Sequence, residues 1–263
     1  MDILEEIVAH KRQEVAAQKQ VLSARELHAQ VEQLMTDGIT VRSLSSALAN
    51  DDCGIIAEFK RKSPSKGWIK EEGLPTVIPP AYEQAGAAAL SILTDEQYFG
   101  GNMDFVRQAR PLVSIPILRK DFIVDEYQLF QARLIGADAV LLIAADLKLD
   151  EVRSLTRLAH ELKLEVLLEL HAEHELDYAD IDVDAIGVNN RNLGTFVTDV
   201  QNSFRMVDRL PKDRVLVSES GIGCPETIKM LRMAGYRGFL IGESFMKTDN
   251  PGDELRRFIA SLR

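Results

Sequence analysis

From residue 55 onward, short apolar runs recur along the chain at intervals that leave room for one helix between them. They fall at 55–59, 89–93, 115–118, 139–143, 165–170, 185–188, 215–217 and 238–241. Each is apolar over most of its length, as strands are when a parallel sheet buries both of their faces. Segments 126–135, 149–162 and 225–234 carry helical periodicity between them. Alternating β and α elements predict a parallel α/β fold. Eight such units in about 210 residues match a (β/α)8 TIM barrel, which usually takes ~250. A doubly wound open sheet is the rival, and no Gly-x-Gly-x-x-Gly follows the first strand to support it.

Ahead of the first strand the pattern is helical. Leu4, Ile7 and Val8 form an i, i+3, i+4 stripe, which assigns Glu5, Glu6, Lys11, Arg12 and Glu14 to the wet side. Ser23 with Glu26 makes a capping box for a second helix, which Asp37-Gly38 closes. Residues 1–48 therefore read as an N-terminal helical extension on a barrel domain of residues 49–263. In Ile78-Pro79-Pro80-Ala81 the two prolines fit only a helix's first turn, which places the start of the first barrel helix near Pro80. The irregular stretch 61–77 before it has the length of a functional loop, and a lid over the site is the expectation.

Composition narrows the function classes. The 263 residues are 46% hydrophobic, enough for a large core, and 31 Lys and Arg against 41 Asp and Glu give a formal charge of -10. That balance argues against nonspecific nucleic-acid binding. It leaves room for an anionic substrate, because a few lysines in one pocket reverse the local field. Cys53 and Cys224 stand far apart without metal-ligand spacing, as in a reduced cytoplasmic protein. The charged start at Asp2 is unlike a secretory signal, and the longest apolar run, 139–145, is too short to cross a bilayer.

In a barrel of this kind reactive groups sit at the C-terminal strand ends. Glu58 and Lys60, two apart, share a face at the end of the first strand. The second end offers Thr94-Asp95 and Tyr98-Phe99-Gly100-Gly101. The third offers Lys120, with Arg119 and Asp121 facing the other way, and the fourth little beyond Asp146. Glu169, Asn189-Asn190-Arg191-Asn192, Ser218-Glu219-Ser220-Gly221 and Gly242-Glu243-Ser244 end the rest. Singly, a strand-end Lys or Glu is an ordinary solvated or paired group. Six of eight ends carrying such types, on a fold that makes them converge, is a polar mouth. Glycines after the seventh and eighth strands match the place where barrels build phosphate sites. His171 and His174, at i, i+3, lack the further ligands of a metal site and read as solvated or capping residues. No Gly-x-Ser-x-Gly nucleophile elbow occurs.

The run Ile56-Ala57-Glu58-Phe59-Lys60-Arg61-Lys62-Ser63-Pro64-Ser65 resembles the signature of the indole-3-glycerol phosphate synthase family. Further stretches fall in family order: Ile3-Leu4-Glu5-Glu6-Ile7-Val8, Leu93-Thr94-Asp95, Leu118-Arg119-Lys120-Asp121-Phe122, Leu168-Glu169, Gly187-Val188-Asn189-Asn190-Arg191-Asn192-Leu193 and Glu219-Ser220-Gly221-Ile222. The resemblance implies conversion of 1-(2-carboxyphenylamino)-1-deoxyribulose 5-phosphate to indole-3-glycerol phosphate, carbon dioxide and water, with no cofactor or metal. It implies Lys120 as the acid of ring closure, Glu169 and Lys60 as the principals of dehydration, Glu58 as their electrostatic tuner and Asn189 beside them on the ribulose hydroxyls. Ser220, Gly221, Gly242 and the Glu243 amide would meet the phosphate, and Ser63 and Arg191 the anthranilate carboxylate. Phe99, Phe122 and Leu193 would wall the aromatic ring, and Glu219 and Leu240 complete the substrate-binding set. Glu243 departs from the small serine of some members, which removes one side-chain phosphate bond. The expected partner is this one anionic small molecule, with no nucleic acid and no membrane, and a monomer is favoured.

Two enzyme rivals and one non-enzyme remain. A phosphoribosylanthranilate isomerase would need a Cys/Asp pair at strand ends, where neither cysteine falls. A Schiff-base aldolase could use Lys60 or Lys120, and borohydride trapping with a ketose phosphate separates it. A catalytically silent barrel would have lost the charged strand ends that this chain keeps.

Overall fold

The structure is a computed structural model and describes residues 3–38, 41–192 and 194–263. The barrel strands are β1 (Ile55–Phe59), β4 (Ala89–Leu93), β5 (Ile117–Lys120), β6 (Ala139–Ile143), β7 (Glu165–Leu170), β8 (Ala185–Asn189), β9 (Val215–Glu219) and β10 (Gly238–Ile241), with a short hairpin, β2 (Lys62–Ser63) and β3 (Gly67–Trp68), after the first. They close into one parallel barrel in the order β1-β10-β9-β8-β7-β6-β5-β4, with β4 returning to β1. The expected (β/α)8 architecture is present. Three strands lie or extend further toward their C-terminal ends than apolarity alone predicts. Arg119-Lys120, Asn189 and Ser218-Glu219 are strand residues whose polar side chains interrupt the hydrophobic run without ending the ladder.

Three helices precede the barrel: α1 (Ile3–Val21), α2 (Ala24–Thr36) and α3 (Leu44–Asn50). The Ser23–Glu26 capping box forms as expected. Helix α3 was not expected, and it runs across residue 48. Its Leu44 and Leu48, one turn apart, pack on Ile56, Ala89, Ala139 and Ala185 inside the barrel, while Ser43 and Ser45 bind the Glu165 carboxylate at the start of β7. This helix plugs the barrel's N-terminal end and leaves the other end open. Around the strands stand α4 (Ile78–Ala85), α5 (Met103–Ala109), α6 (Tyr127–Ile135), α7 (Leu149–Glu161), α8 (Gln201–Met206), α9 (Pro225–Ala234), α10 (Glu243–Met246) and α11 (Pro251–Leu262). Helix α4 begins at Ile78 with both prolines in its first turn. Segment 61–77 is less irregular than its composition predicts, since the β2–β3 hairpin occupies its first half.

Helix α1 buries Ile7, Lys11 and Val15, which stand at i, i+4 and i+8 on one face. Lys11 is thus not on the wet side but only 1% exposed. Its ammonium meets Asp95 and Asp121 at 3.0 Å each and Glu14 at 2.9 Å. Periodicity misplaces it because a lysine in a core-facing slot looks the same in sequence as one in solvent. Arg119, buried beside it, donates to Asp121 (2.9 Å), the Gln128 carbonyl (2.8 Å) and Thr94 (3.1 Å). Burial favours the neutral lysine, but Asp121, Asp95 and Glu14 outweigh it and hold Lys11 charged; Lys11 and Arg119 likewise keep Asp121 below the usual carboxylate range despite its burial.

Removing one member of a buried ion network strands the others, at a cost of about 3–5 kcal/mol. Lys11→Met is expected to lower stability by an amount in that range in urea unfolding. A loss below about 1 kcal/mol, the worth of an exposed pair, would show that Lys11 does not anchor α1.

Candidate active site

Alternation along the strands sorts the strand-end side chains. At the end of β5, Arg119 and, one residue past the strand, Asp121 turn outward into the network with Lys11, and Lys120 turns inward to the barrel axis. There its ammonium lies 2.9 Å from Glu169 Oε2 at the end of β7 and 3.4 Å from Glu219 Oε2 at the end of β9. Across the mouth, Lys60 pairs with Glu58 at 2.5 Å. Room for these carboxylates comes from glycine: a Cβ at Gly187 would collide with Glu219, and one at Gly242 with Glu58.

Burial and proximity set the protonation states. Burial alone would neutralise Lys120, but the carboxylates around it, Glu169 foremost, hold it charged, well above a lysine's ordinary value. Glu169, 2% exposed, would by burial prefer its neutral form, and Lys120 and His171 instead keep it ionised. Glu219, 1% exposed, goes the other way: burial and the Glu169 charge outweigh Lys120 and push it up to about 8. At neutral pH the clamp around Lys120 thus holds one ionised and one protonated carboxyl, which suits acid–base work.

These groups line a cavity of about 370 Å³ at the open end of the barrel. Phe99 and Phe122, with ring centroids 5.9 Å apart, and Leu240 form an apolar wall. Ile3, Leu4 and Ile7 of α1 add to it, so the N-terminal extension is part of the site. Ser63 is buried on the β2–β3 hairpin and its hydroxyl lacks a partner among the described residues. Arg191 reaches back to that hairpin, donating to Ser65 Oγ at 3.1 Å, and its own backbone N–H donates to Asn189 Oδ1 at 3.0 Å. After β9 the chain turns through two consecutive left-handed residues, Ser220 (φ 66°) and Gly221 (φ 73°), and the 220–223 and 241–244 segments both border the cavity. An apolar slot, a lysine clamped by carboxylates and glycine-rich turns thus share one chamber.

A family model described as indole-3-glycerol phosphate synthase matches residues 4–258. The chain belongs to that family. Among curated relatives, the indole-3-glycerol phosphate synthase of Bacteroides thetaiotaomicron is 59% identical, covering 100% of this chain and 99% of its own length. That of Burkholderia cenocepacia is 44% identical, covering 97% and 98%. Among solved structures, a mutant tryptophan synthase α-subunit from Pyrococcus furiosus superposes with a TM-score of 0.62 at 14% identity, covering 80% of this chain and 98% of that one. The tryptophan synthase α-subunit of Legionella pneumophila gives 0.60 at 14%, over 85% and 97%. At such identity the likeness speaks for the barrel alone. Membership of the indole-3-glycerol phosphate synthase family makes the chain a carboxy-lyase of tryptophan biosynthesis.

Lys120, Glu169, Lys60, Glu58, Asn189, Ser63, Phe99, Phe122, Arg191, Glu219, Ser220, Gly221, Leu240, Gly242 and Glu243 all line the one cavity, while Leu193 lies outside the described residues. The carboxylate of Glu243 lies 3.9 Å from both Arg191 and Lys66, so this departure from serine adds a charge at the rim. His171 corrects an expectation: it is not solvated or capping but largely enclosed, its side chain 10% exposed and Nε2 3.1 Å from Glu169 Oε1, whereas His174 is exposed. Its place two residues after Glu169 was a usable signal, since both side chains then fall on one face. The α1 wall, and Phe196 and Thr198 beyond β8, carry no strand-end signature and were missed. Among the described residues no cluster of metal-ligating side chains occurs, and no helix is long and apolar enough to cross a membrane.

The raised carboxyl of Glu219 has a thermodynamic signature. Folded, it keeps its proton up to about 8, whereas unfolded it ionises near 4.5. Between these values the folded state binds more protons, so stability from this group falls as pH rises, and the penalty is complete above about 8. Glu219→Gln removes the penalty. Its stability relative to the parent should rise between about pH 5 and about pH 8.5 in urea unfolding, and a pH-independent difference would contradict the assignment.

Proposed function

We propose that this mouth performs indole ring closure with Lys120 as acid, Lys60 as the second acid and Glu169 as base. The observation that carries the reading is Lys120, charged and held between Glu169 and Glu219 at the floor of an apolar slot. The substrate, 1-(2-carboxyphenylamino)-1-deoxyribulose 5-phosphate, has three parts, and each finds matching chemistry. Phe99, Phe122 and Leu240 flank the aromatic ring, Ser63 and Arg191 meet its carboxylate, and Asn189 meets the ribulose hydroxyls. The backbone at Ser220, Gly221, Gly242 and Glu243 takes the phosphate.

The reaction balances on these residues. The ring carbon bearing the carboxylate bonds to the ketone carbon, the carbonyl electrons move to oxygen, and Lys120 protonates the alkoxide. The bond to the carboxylate then breaks, carbon dioxide leaves, and its electron pair restores the aromatic ring. Finally the carbon–hydroxyl bond breaks, Lys60 turns the hydroxide into water, and Glu169 takes a proton from the methylene carbon beside the nitrogen. Two protons are given and one is taken. The net uptake of one proton matches the loss of an ionised carboxylate as neutral carbon dioxide. Glu58, paired with Lys60, tunes that second acid, and Glu169 beside Lys120 can return its proton to reset the first.

The wider reading is a monomer in the cytoplasm, residues 1–48 serving as an extension of the 49–263 barrel, with segment 61–77 as a lid. Free Cys53 and Cys224 and the hairpin contact from Arg191 support it.

Mixing the protein with synthetic substrate and EDTA should generate indole fluorescence. Binding without any signal would overturn the reading. Lys120→Met is expected to lower kcat by ~10²–10⁴-fold, the worth of a general acid, with KM changed only a few-fold. A rate within a few-fold of the parent would remove Lys120 from the ring-closing role.

A further inference from the structure

Glu169 has two carboxylate oxygens and a nitrogen partner for each. Oε2 accepts from Lys120 at 2.9 Å, and Oε1 lies 3.1 Å from Nε2 of His171. An ionised carboxylate only accepts, so a proton on Nε2 faces Oε1 across a close contact that falls outside hydrogen-bond geometry. His171 is fixed through its backbone on both sides. Its N–H donates to Glu175 Oε2 at 2.5 Å, and its carbonyl accepts from Asn202 Nδ2 of α8 at 2.9 Å. Glu169 borders the cavity, and the His171 ring stands behind it with a side chain 10% exposed.

We infer that His171 is a positioning residue for Glu169, holding that carboxylate ionised and aligned while Lys120 is without its proton. The inference rests on the reading of Glu169 as the base of dehydration. When Lys120 protonates the alkoxide, Oε2 loses its cation. A carboxylate 2% exposed is then costly to keep charged. It would take up a proton too early, or turn from the substrate. His171 supplies the remaining countercharge on Oε1, from an element that the reaction does not discharge. Loss of the Lys120 charge also makes Glu169 a stronger base at the step that needs one.

The groups facing His171 come from four elements. Burial favours its neutral form, but Glu169 of β7 and Glu175 of the following 3-10 helix outweigh it, with Lys120 of β5 opposing them, and the imidazole is held above its ordinary value. Asp146, at the end of the 3-10 turn after β6, is the fourth. Burial, Glu169 and Glu175 push it up to about 7 against the pull of His171 and of Arg12 on α1. His171 thus stands amid Glu169, Glu175 and Asp146, and the first two favour its protonated form.

His171→Phe should lower kcat on the order of tenfold, less than loss of the base itself at ~10²–10⁴-fold, with KM within about twofold. Removing a cation from beside Glu169 raises its pKa, so the acid limb of kcat should move up by roughly one pH unit. His171→Gln, which restores a neutral donor, should recover part of kcat while leaving the limb displaced. Parental kcat and limb in both variants would overturn the inference. Glu169→Gln separates the two readings. If it keeps parental kcat, the assignment of Glu169 falls; if it collapses while both His171 variants match the parent, only the positioning role falls. Imidazole titration by NMR needs no His171 variant. In the full-length protein, Glu169→Gln should lower the His171 pKa, and an unchanged titration would refute the pairing.

Discussion

Three consecutive residues at the end of one strand carry the two charged systems of this molecule. Alternation sends Arg119 and Asp121 to the outside of β5 and Lys120 to the inside. Outside, Lys11, Asp95 and Thr94 complete a dry network that fastens α1 and the loop after β4. Inside, Glu169 and Glu219 complete the clamp. Each network offsets the desolvation of its own charges only because its partners are in place. A one-residue slip of β5 would exchange the two faces and leave unmatched ions in both. The register of this strand is therefore fixed by electrostatics as firmly as by hydrophobic pattern.

The same arrangement explains how an acidic protein receives a polyanion. The formal charge of -10 is spread over the whole chain, while the cavity gathers Lys60, Lys120 and Arg191. Glu58 and Glu169 cancel part of that positive field, and Glu219 contributes little to the cancellation because burial keeps its proton on. Every carboxylate oxygen in the clamp also has to fit physically. Gly187 and Gly242 are as much a part of the electrostatics as the charges, because a side chain at either would displace a glutamate.

Much of this was legible in the residues because a barrel funnels its strand ends to one place. Reading what terminates each apolar run located Glu58, Lys120, Glu169, Asn189 and Glu219 without knowledge of their contacts. What escaped has a common physical cause: the meaning of a charge depends on which face it occupies and what it meets there. Lys11 fits a solvated pattern as well as a core one, and only Asp95 and Asp121, distant in sequence, decide between them. His171 reads as solvated or capping because it follows the apolar run, and the sequence does not show that its ring turns back to Glu169. The α1 wall was hidden for a related reason, since Ile3, Leu4 and Ile7 read as any helix's apolar face and the sequence does not say what the face covers. Helix α3 was too short for periodicity to separate from a linker.

The docking of α1 has a consequence for the order in which the molecule comes together. Glu14, on the same helix, is the local partner of Lys11, but Asp95 and Asp121 are fixed in place only when β4 and β5 have joined the sheet. The barrel itself closes through β10, whose partner β1 lies nearly two hundred residues earlier. Helix α1 is therefore placed late, after long-range contacts of the kind that slow folding. Until then its apolar face and Lys11 stay in water, and the chamber stands open on one side. A chain that has formed its sheet but not yet seated its first helix would be a barrel without an enzyme.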